Sequence, residues 1–402
     1  MPVPADVDGR TGTSSGRLAA LDGLRGVAAL VVLVHHSLLL VPALMAAYDD
    51  PGAPRSALVL AVTATPLHLL WDGEVAVQVF FVLSGFVLTV AAQRARHRWG
   101  AYYPQRLLRL YLPVWAAVAL AVALRLAVPR GETAGLSPWL VFHGDVGRAG
   151  VLADLTLLAG PVGSTMTALW SLRWEVVFSL ALPLFVWLAT RLRRHALVAG
   201  AALAVVAWVG AATGPVDRPY ALGALYQLPL FGLGCLLAAD RERLAGAVAR
   251  WGGATRAGVL AGAALLASGP WLLDLGGLRA GLPVGVLALA RVLQAGGAAL
   301  LVVAALGPLD RPLRHPAVHW LGTRSFSLYL VHEPVVVAVG FLTGWVTPVV
   351  LLLTVPASLL LAEVFFRVVE GPSHRLSRRV GALVGRRPGP HRADRPEAAP
   401  VP

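Results

Sequence analysis

Residues Leu21–His36 read L-D-G-L-R-G-V-A-A-L-V-V-L-V-H-H. The stretch opens on two charges, Asp22 and Arg25, and then runs apolar into His35 and His36. Arg25 and His36 are eleven residues apart, about three helical turns, so the spacing puts them on nearly the same helix face. At roughly 1.5 Å per residue, His36 lies about 16 Å deeper than Arg25. With Arg25 at a water boundary, His36 falls near the middle of a bilayer. An ionisable group at that depth is expensive, and it lines a cavity or a reaction site by default. The competing reading is a histidine that only hydrogen-bonds a neighbouring helix; the arginine on its face tilts the balance toward function. His35 points about 100° away and does not easily share one task with His36.

The rest of the chain has the composition that such a helix needs. It has 402 residues, 57% hydrophobic and 14% charged, where a soluble domain carries about 25% charged residues. The pattern predicts an all-α, polytopic integral membrane protein. Ten spans are read, at Val27–Met45, Val75–Ala92, Leu112–Val128, Leu169–Ala189, Ala196–Ala212, Leu222–Ala239, Gly258–Leu273, Leu282–Leu306, Ser325–Thr343 and Pro348–Val369. Each is near the roughly 20 residues that a bilayer requires. The net charge of +13 is carried by arginine, since the sequence contains no lysine. Arg55, Arg125, Arg130, Arg148, Arg218 and Arg279 fall on outer segments, Arg173 and Arg291 fall inside spans, and every other arginine falls on an inner segment. This positive-inside asymmetry places both termini in the cytoplasm and argues against nucleic acid as a partner. Residues 1–20 are expected to be a disordered cytoplasmic segment, 21–370 the transmembrane domain, and 371–402 a basic, proline-rich cytoplasmic tail. No cleavable signal is read at the N-terminus. The single cysteine, Cys235, excludes an internal disulfide.

Several spans carry polar motifs. The second contains V-F-F-V-L-S-G-F, Val79–Phe86, where Ser84 and Gly85 allow close helix approach; packing is the simpler reading, and Ser84 as a nucleophile would need a base beside it. Arg106 and Arg109, in A-Y-Y-P-Q-R-L-L-R-L-Y-L-P-V-W, share a helix face at the inner boundary. Paired guanidinium groups suit phosphates, although positive-inside anchoring alone explains most loop arginines. The fourth span opens L-W-S-L-R-W-E-V-V-F, with Ser171 and Glu175 on one face. A glutamate inside a span needs a partner; Arg25, His36 and Arg291 are the candidates. In S-F-S-L-Y-L-V-H, Ser325, Tyr329 and His332 form one polar stripe. Arg291 and Gln294 read as a further buried polar pair. The loop of residues 129–166 holds Glu132, His143, Asp145 and Asp154, with a short interfacial helix at Val151–Leu158. No cluster has metal-ligand spacing.

Taken in order, these segments resemble the acyltransferase 3 family of bacterial integral-membrane O-acyltransferases. The resemblance runs from L-D-G-L-R-G with its histidine eleven residues past the arginine, through F-F-V-L-S-G-F, R-L-L-R-L-Y-L-P, S-L-R-W-E and S-F-S-L-Y-L-V-H, to V-V-E-G-P at Val368–Pro372. It implies a multi-pass protein of the bacterial inner (plasma) membrane. It implies acyl transfer from a cytoplasmic acyl-CoA, acetyl-CoA by default, to a hydroxyl on a glycan, a lipid-linked sugar or a glycosylated metabolite, with no permanently bound cofactor. By motif position Arg25 and His36 look like the family's essential pair, Arg106 and Arg109 like its paired arginines near the donor, and Glu175 like its fourth-span acid. Gln78 stands where the family often has an acid.

The expected mechanism makes His36 the general base on the acceptor hydroxyl, since imidazole titrates near neutrality. Glu175 would orient the ring or bind the acceptor, and Arg106 and Arg109 would hold the donor's phosphates. Arg25 would bind the donor or stabilise charge on the thioester oxygen. Ser84, Ser171, Tyr329 and His332 are expected to line the substrate path. The rival class is a transporter or flippase moving a polar solute without chemistry; such proteins often show inverted repeats, and no matching halves are found.

Overall fold

The computed structural model describes residues 11–50, 53–94, 98–131, 134–144, 146–213 and 220–384. These residues form helices and turns, with no strand among them. Eleven longer helices organise the fold: α1 (Thr11–Leu38), α2 (Gly73–Arg94), α3 (Trp99–Ala127), α4 (Leu169–Leu192), α5 (Ala196–Ala212), α6 (Tyr220–Ala239), α7 (Gly253–Ala267), α8 (Val284–Ala305), α9 (Pro316–Thr343), α10 (Leu351–Phe365) and α11 (Gly371–Val384). Among the described residues, 8 helical runs are long and apolar enough to cross a membrane. One of these, Leu169–Ala212, holds both α4 and α5, and α7 is a shorter apolar helix outside that set. Large apolar side chains point outward, Leu197 at 91% and Leu126 at 82% exposure among them. In lipid that is the favourable direction, because the helices satisfy their own backbone groups.

Two close helix contacts set the frame. Helices α1 and α9 touch through glycine: a Cβ on Gly26 would meet the backbone N of Gly322 at 2.4 Å, and one on Gly322 would meet the Asp22 carbonyl at 2.3 Å. One end of the contact is Gly26 on Gly322 and the other is His36 on His332, so the two helices run parallel. Helices α2 and α6 repeat the device. A Cβ on Gly85 would lie 2.0 Å from the Phe231 carbonyl, and one on Gly234 would lie 2.0 Å from that of Val82. Gly85 in V-L-S-G-F is therefore a packing residue, as its simpler reading had it. Small residues at such crossings bring backbones together and carry the polar faces inward with them.

Some boundaries differ from the sequence reading. Helix α1 begins at Thr11, so helical structure covers half of the segment expected to be disordered. A π-helical turn at Phe366–Glu370 joins α10 to α11 without a break. The boundary expected at residue 371 therefore falls inside the bundle, where Gly381 of α11 contacts Gln105 of α3. The short helix of the long loop is Arg148–Thr156, three residues earlier than expected at its start. The loop acids Glu132 and Asp145 lie outside the described residues.

Candidate active site

The parallel pair α1 and α9 carries two polar regions, marked on α1 by Arg25 and, about three turns further on, by His36. The first is a cavity of about 370 Å³. Arg25 and Asp22 come from α1, Ser84 from α2, Arg106 and Arg109 from α3, Ser171 and Glu175 from α4, and Ser325 and Tyr329 from α9. Glu370 and His374 close it at the junction with α11. Seven of the nine predicted site residues therefore face one space.

The partner of Glu175 is Arg106, to which it is directly ion-paired, and Arg106 Nε also donates to Ser179 Oγ at 3.0 Å. None of the three partners expected for Glu175 is the right one, and its carboxylate is spent on the arginine rather than on the imidazole. The reason lies in the crossing of α3 over α4, which sets the two side chains opposite each other. Arg25 and Arg109 face the cavity with no ion pair among the described residues. Glu370 accepts from Ser327 N at 3.1 Å and Ser327 Oγ at 2.5 Å, which fixes its carboxylate beside the arginines. Three guanidinium groups and three carboxylates thus share the cavity. Ser84 lines the wall, with no base bonded to it among the described residues.

The second region lies around the part-buried His36 and the buried His332. His36 Nδ1 and His332 Nε2 are 2.8 Å apart, and His332 Nδ1 is 3.1 Å from the Leu328 carbonyl. These contacts fix the tautomers of the neutral rings. A carbonyl only accepts, so His332 carries its proton on Nδ1, its Nε2 accepts from His36 Nδ1–H, and His36 Nε2 is left as a bare lone pair. The His36 ring stacks on Trp139, with centroids 5.3 Å apart. His35 donates from Nδ1 to the Trp71 carbonyl at 3.0 Å, a separate anchor.

Beside His332 sits Glu333, fully buried. It accepts from His143 Nε2 at 2.9 Å, Thr167 N at 2.5 Å, Thr167 Oγ1 at 2.6 Å and Ala168 N at 2.7 Å. Thr167 and Ala168 immediately precede α4, so the carboxylate caps that helix and satisfies N–H groups its own turns cannot. His143 Nδ1 faces the Trp139 carbonyl at 2.7 Å, so one proton is held between His143 and Glu333. Sequence reasoning missed Glu333 and His143. The rule that singled out Glu175, an acid inside an apolar span, applies equally to Glu333, while nothing local marks His143, which arrives from a loop. Atoms of His36, His332 and Glu333 lie within 4.8 Å of one another, although metal-ligand spacing was absent from the sequence. Here the Glu333 oxygens are taken by N–H and O–H donors, and the two facing imidazole nitrogens bond each other.

Tyr329 separates the two regions. Its hydroxyl donates to the Ala168 carbonyl at 2.9 Å and meets Ser171 Oγ at 2.7 Å. Its ring lies 5.8 Å from that of His332. Arg25 and His36 thus belong to different regions of the same helix face, and Arg25 is about three turns from the imidazole.

The acyltransferase-domain model of the acyltransferase 3 family matches residues 18–367. The chain belongs to the acyltransferase 3 family. All nine predicted site residues, and Glu333 and His143, lie within the match, whereas Glu370 and His374 lie beyond it. No curated protein and no solved structure matches the chain. As an acyltransferase 3 member with 8 apolar helical runs of spanning length, the protein is a multi-pass membrane acyltransferase, and the solute-carrier alternative loses its ground.

Beyond the two regions, a third buried polar group takes up Gln78, Gln294 and Asp72. Gln78 Nε2 donates to Tyr226 Oη at 2.9 Å and to Gln294 Oε1 at 3.1 Å. Arg291 is exposed and does not share the burial of Gln294, so the expected buried pair does not form. Burial, and then the nearby Glu74, push the Asp72 carboxyl up to about 8, while burial pushes His68, 3.7 Å from it, down to about 3. Gln78, in place of an acid, adds no further charge to this group.

Proposed function

We propose that the protein transfers an acyl group, acetyl by default, from acyl-CoA to a hydroxyl of a glycan or glycosylated acceptor at a bacterial inner membrane. His36 is the general base. The observation that carries this reading is the hydrogen-bond order Leu328–His332–His36, which leaves His36 Nε2 unprotonated and aimed away from its partner. The ring is held in one orientation on Trp139, as a base must be before its substrate arrives.

The donor's phosphates lie in the arginine cavity, against Arg25, Arg106 and Arg109, with Glu175 and Glu370 orienting the guanidinium groups. At about 16 Å from the imidazole, Arg25 is a binding residue and does not touch the reacting carbonyl. The pantetheine arm spans that interval, and the thioester passes Tyr329 when its ring turns from Ala168. His36 Nε2 then takes the proton of the acceptor hydroxyl as the oxygen attacks the thioester carbon. The C–S bond breaks, and the leaving thiolate takes the proton back from His36. His332 and Glu333 stabilise the imidazolium in between, because charge in a dry site is strongly felt by its neighbours.

Purified protein with acetyl-labelled acetyl-CoA tests this. Label should pass to an added glycan acceptor or, slowly, to water. Normally folded His36→Ala with undiminished transfer ends the assignment.

A further inference from the structure

A second opening lies on the far side of Glu333 from the histidine pair. It is a pocket of about 180 Å³. Arg125 and Arg130 come from the end of α3 and the loop after it, His143 and Thr165 from the long loop, and Pro334 and Val337 from α9. Val337 is eight residues past Tyr329 on α9, so the pocket and the arginine cavity lie at opposite ends of the site, about 12 Å apart along that helix.

Arg130 has the features of a binding group. Its guanidinium lies over the Phe341 ring, 4.3 Å from the centroid. That contact anchors the cation on the ring, and Arg130 lines the pocket. Nε and Nη1 are buried and have no hydrogen-bond partner among the described residues. Buried N–H groups of this kind are expensive to leave unmet. Arg125, by contrast, donates to the His143 carbonyl at 3.3 Å. Burial, and then the like charge of Arg125, pull Arg130 below the ordinary arginine range; an anion in the pocket offsets both.

We propose that this pocket binds an oxyanion, a phosphate or carboxylate, in the plane of the Arg130 guanidinium, carried either by a lipid headgroup or by a soluble molecule such as the acceptor. The volume suits a small anion and not a nucleotide. His143 lines the pocket and is bonded to Glu333, whose carboxylate lies within 4.8 Å of the His36 and His332 ring nitrogens, so an anion bound there adds its charge close to the proposed base. The site stands independently of acyl transfer, because its test reads binding alone.

The probe is inorganic pyrophosphate, titrated by calorimetry and by thermal unfolding onto full-length protein in a phosphate-free sugar detergent. The arginine cavity also attracts phosphate, so the measurement uses the Arg106→Gln/Arg109→Gln protein. Stabilisation should persist there, and adding Arg130→Gln should weaken it about tenfold to a hundredfold. Arg130→Lys keeps the charge and the stem over Phe341 but loses the planar fork; it should unfold at the parent temperature and still bind several-fold more weakly. If Arg130→Gln does not fold, the lysine variant decides. Added phosphatidylglycerol that competes with pyrophosphate identifies a headgroup as occupant, and no competition identifies a soluble ligand; both keep the site. Three results overturn it. The response disappears once Arg106 and Arg109 are removed, or it ignores both Arg130 variants, or it emerges only in Glu132→Gln/Asp145→Asn protein, which would mean that the loop's own carboxylates fill the guanidinium.

Discussion

The two ends of the α1–α9 contact are built on opposite principles. At the arginine cavity, charges of both signs face an open space and most keep water. At His36, two bonded pairs, His36–His332 and His143–Glu333, lie side by side, and all but the part-buried His36 are buried. A charge in the first region is cheap and adaptable, which suits holding a polyanion. A charge in the second is strongly felt by every neighbour, which suits moving a proton. The division follows from depth: one helix carries Arg25 at one level and His36 about three turns further in.

The sharpest way to break this comparison is at the imidazole. His36→Ala should lower acyl transfer by about 10²- to 10⁴-fold, the range of general-base catalysis. Expression and detergent-solubilised size should be unchanged, because the ring's one hydrogen bond is to His332 and its removal leaves no buried charge. Labelled acetyl transfer read beside gel filtration checks both halves. Loss of folding instead would make His36 a packing residue and erase the distinction between the ends.

Glu333 should show the next largest effect, and on stability first. Glu333→Ala strips the acceptor from His143, Thr167 and Ala168 at once. Breaking a buried pair by removing one partner costs about 3–5 kcal/mol. Glu333→Gln keeps an acceptor and should cost about 1–3 kcal/mol. Thermal unfolding of the two variants gives the order. An alanine variant as stable as the parent would show that the histidine end is not held by this carboxylate.

These two residues also mark what was legible in the sequence. Arg25 and His36 could be read because one helix carries both, and helical geometry converts spacing into depth. The polar stripe Ser325–Tyr329–His332 was legible for the same reason. Its neighbour Glu333 sits on another face of α9, and its partners come from a loop 165 to 190 residues earlier. No periodicity within a span reports that. Glu175 shows the same limit in reverse: its need for a partner was plain, but its identity depended on how α3 crosses α4. The fold class was clear because hydropathy is a local property. The start of α1 at Thr11 and the continuation into α11 were not, because both segments are polar and their helices end outside the apolar pattern.

The open end should answer differently. Arg109→Gln removes a guanidinium that has no ion pair among the described residues, so stability should barely change. Hydrogen bonds to charged groups contribute about 1.5–3 kcal/mol, so the KM for acetyl-CoA should rise about tenfold to a hundredfold with kcat nearly preserved. The KM should also climb with added salt, whereas kcat should not, since solvated charges are screened and buried ones are not. A fall in kcat at constant KM would place Arg109 with the chemistry and merge the two regions.

The smallest effect is expected at the partition between them. Tyr329→Phe removes the hydroxyl that binds Ala168 O and Ser171 Oγ, yet the Ala168 carbonyl still accepts from Ser171 Oγ at 3.1 Å. The cost to stability should therefore be at most about 1 kcal/mol. If Tyr329 only bars the way, phenylalanine turns aside more easily, and kcat should stay within about threefold of the parent, that is within about 0.7 kcal/mol of barrier. Acetyl-CoA hydrolysis without acceptor should increase, because the partition also keeps water from the base. A phenylalanine variant as inactive as His36→Ala would mean that the hydroxyl takes part in the reaction, and Tyr329 would then belong to the histidine end rather than divide it from the open one.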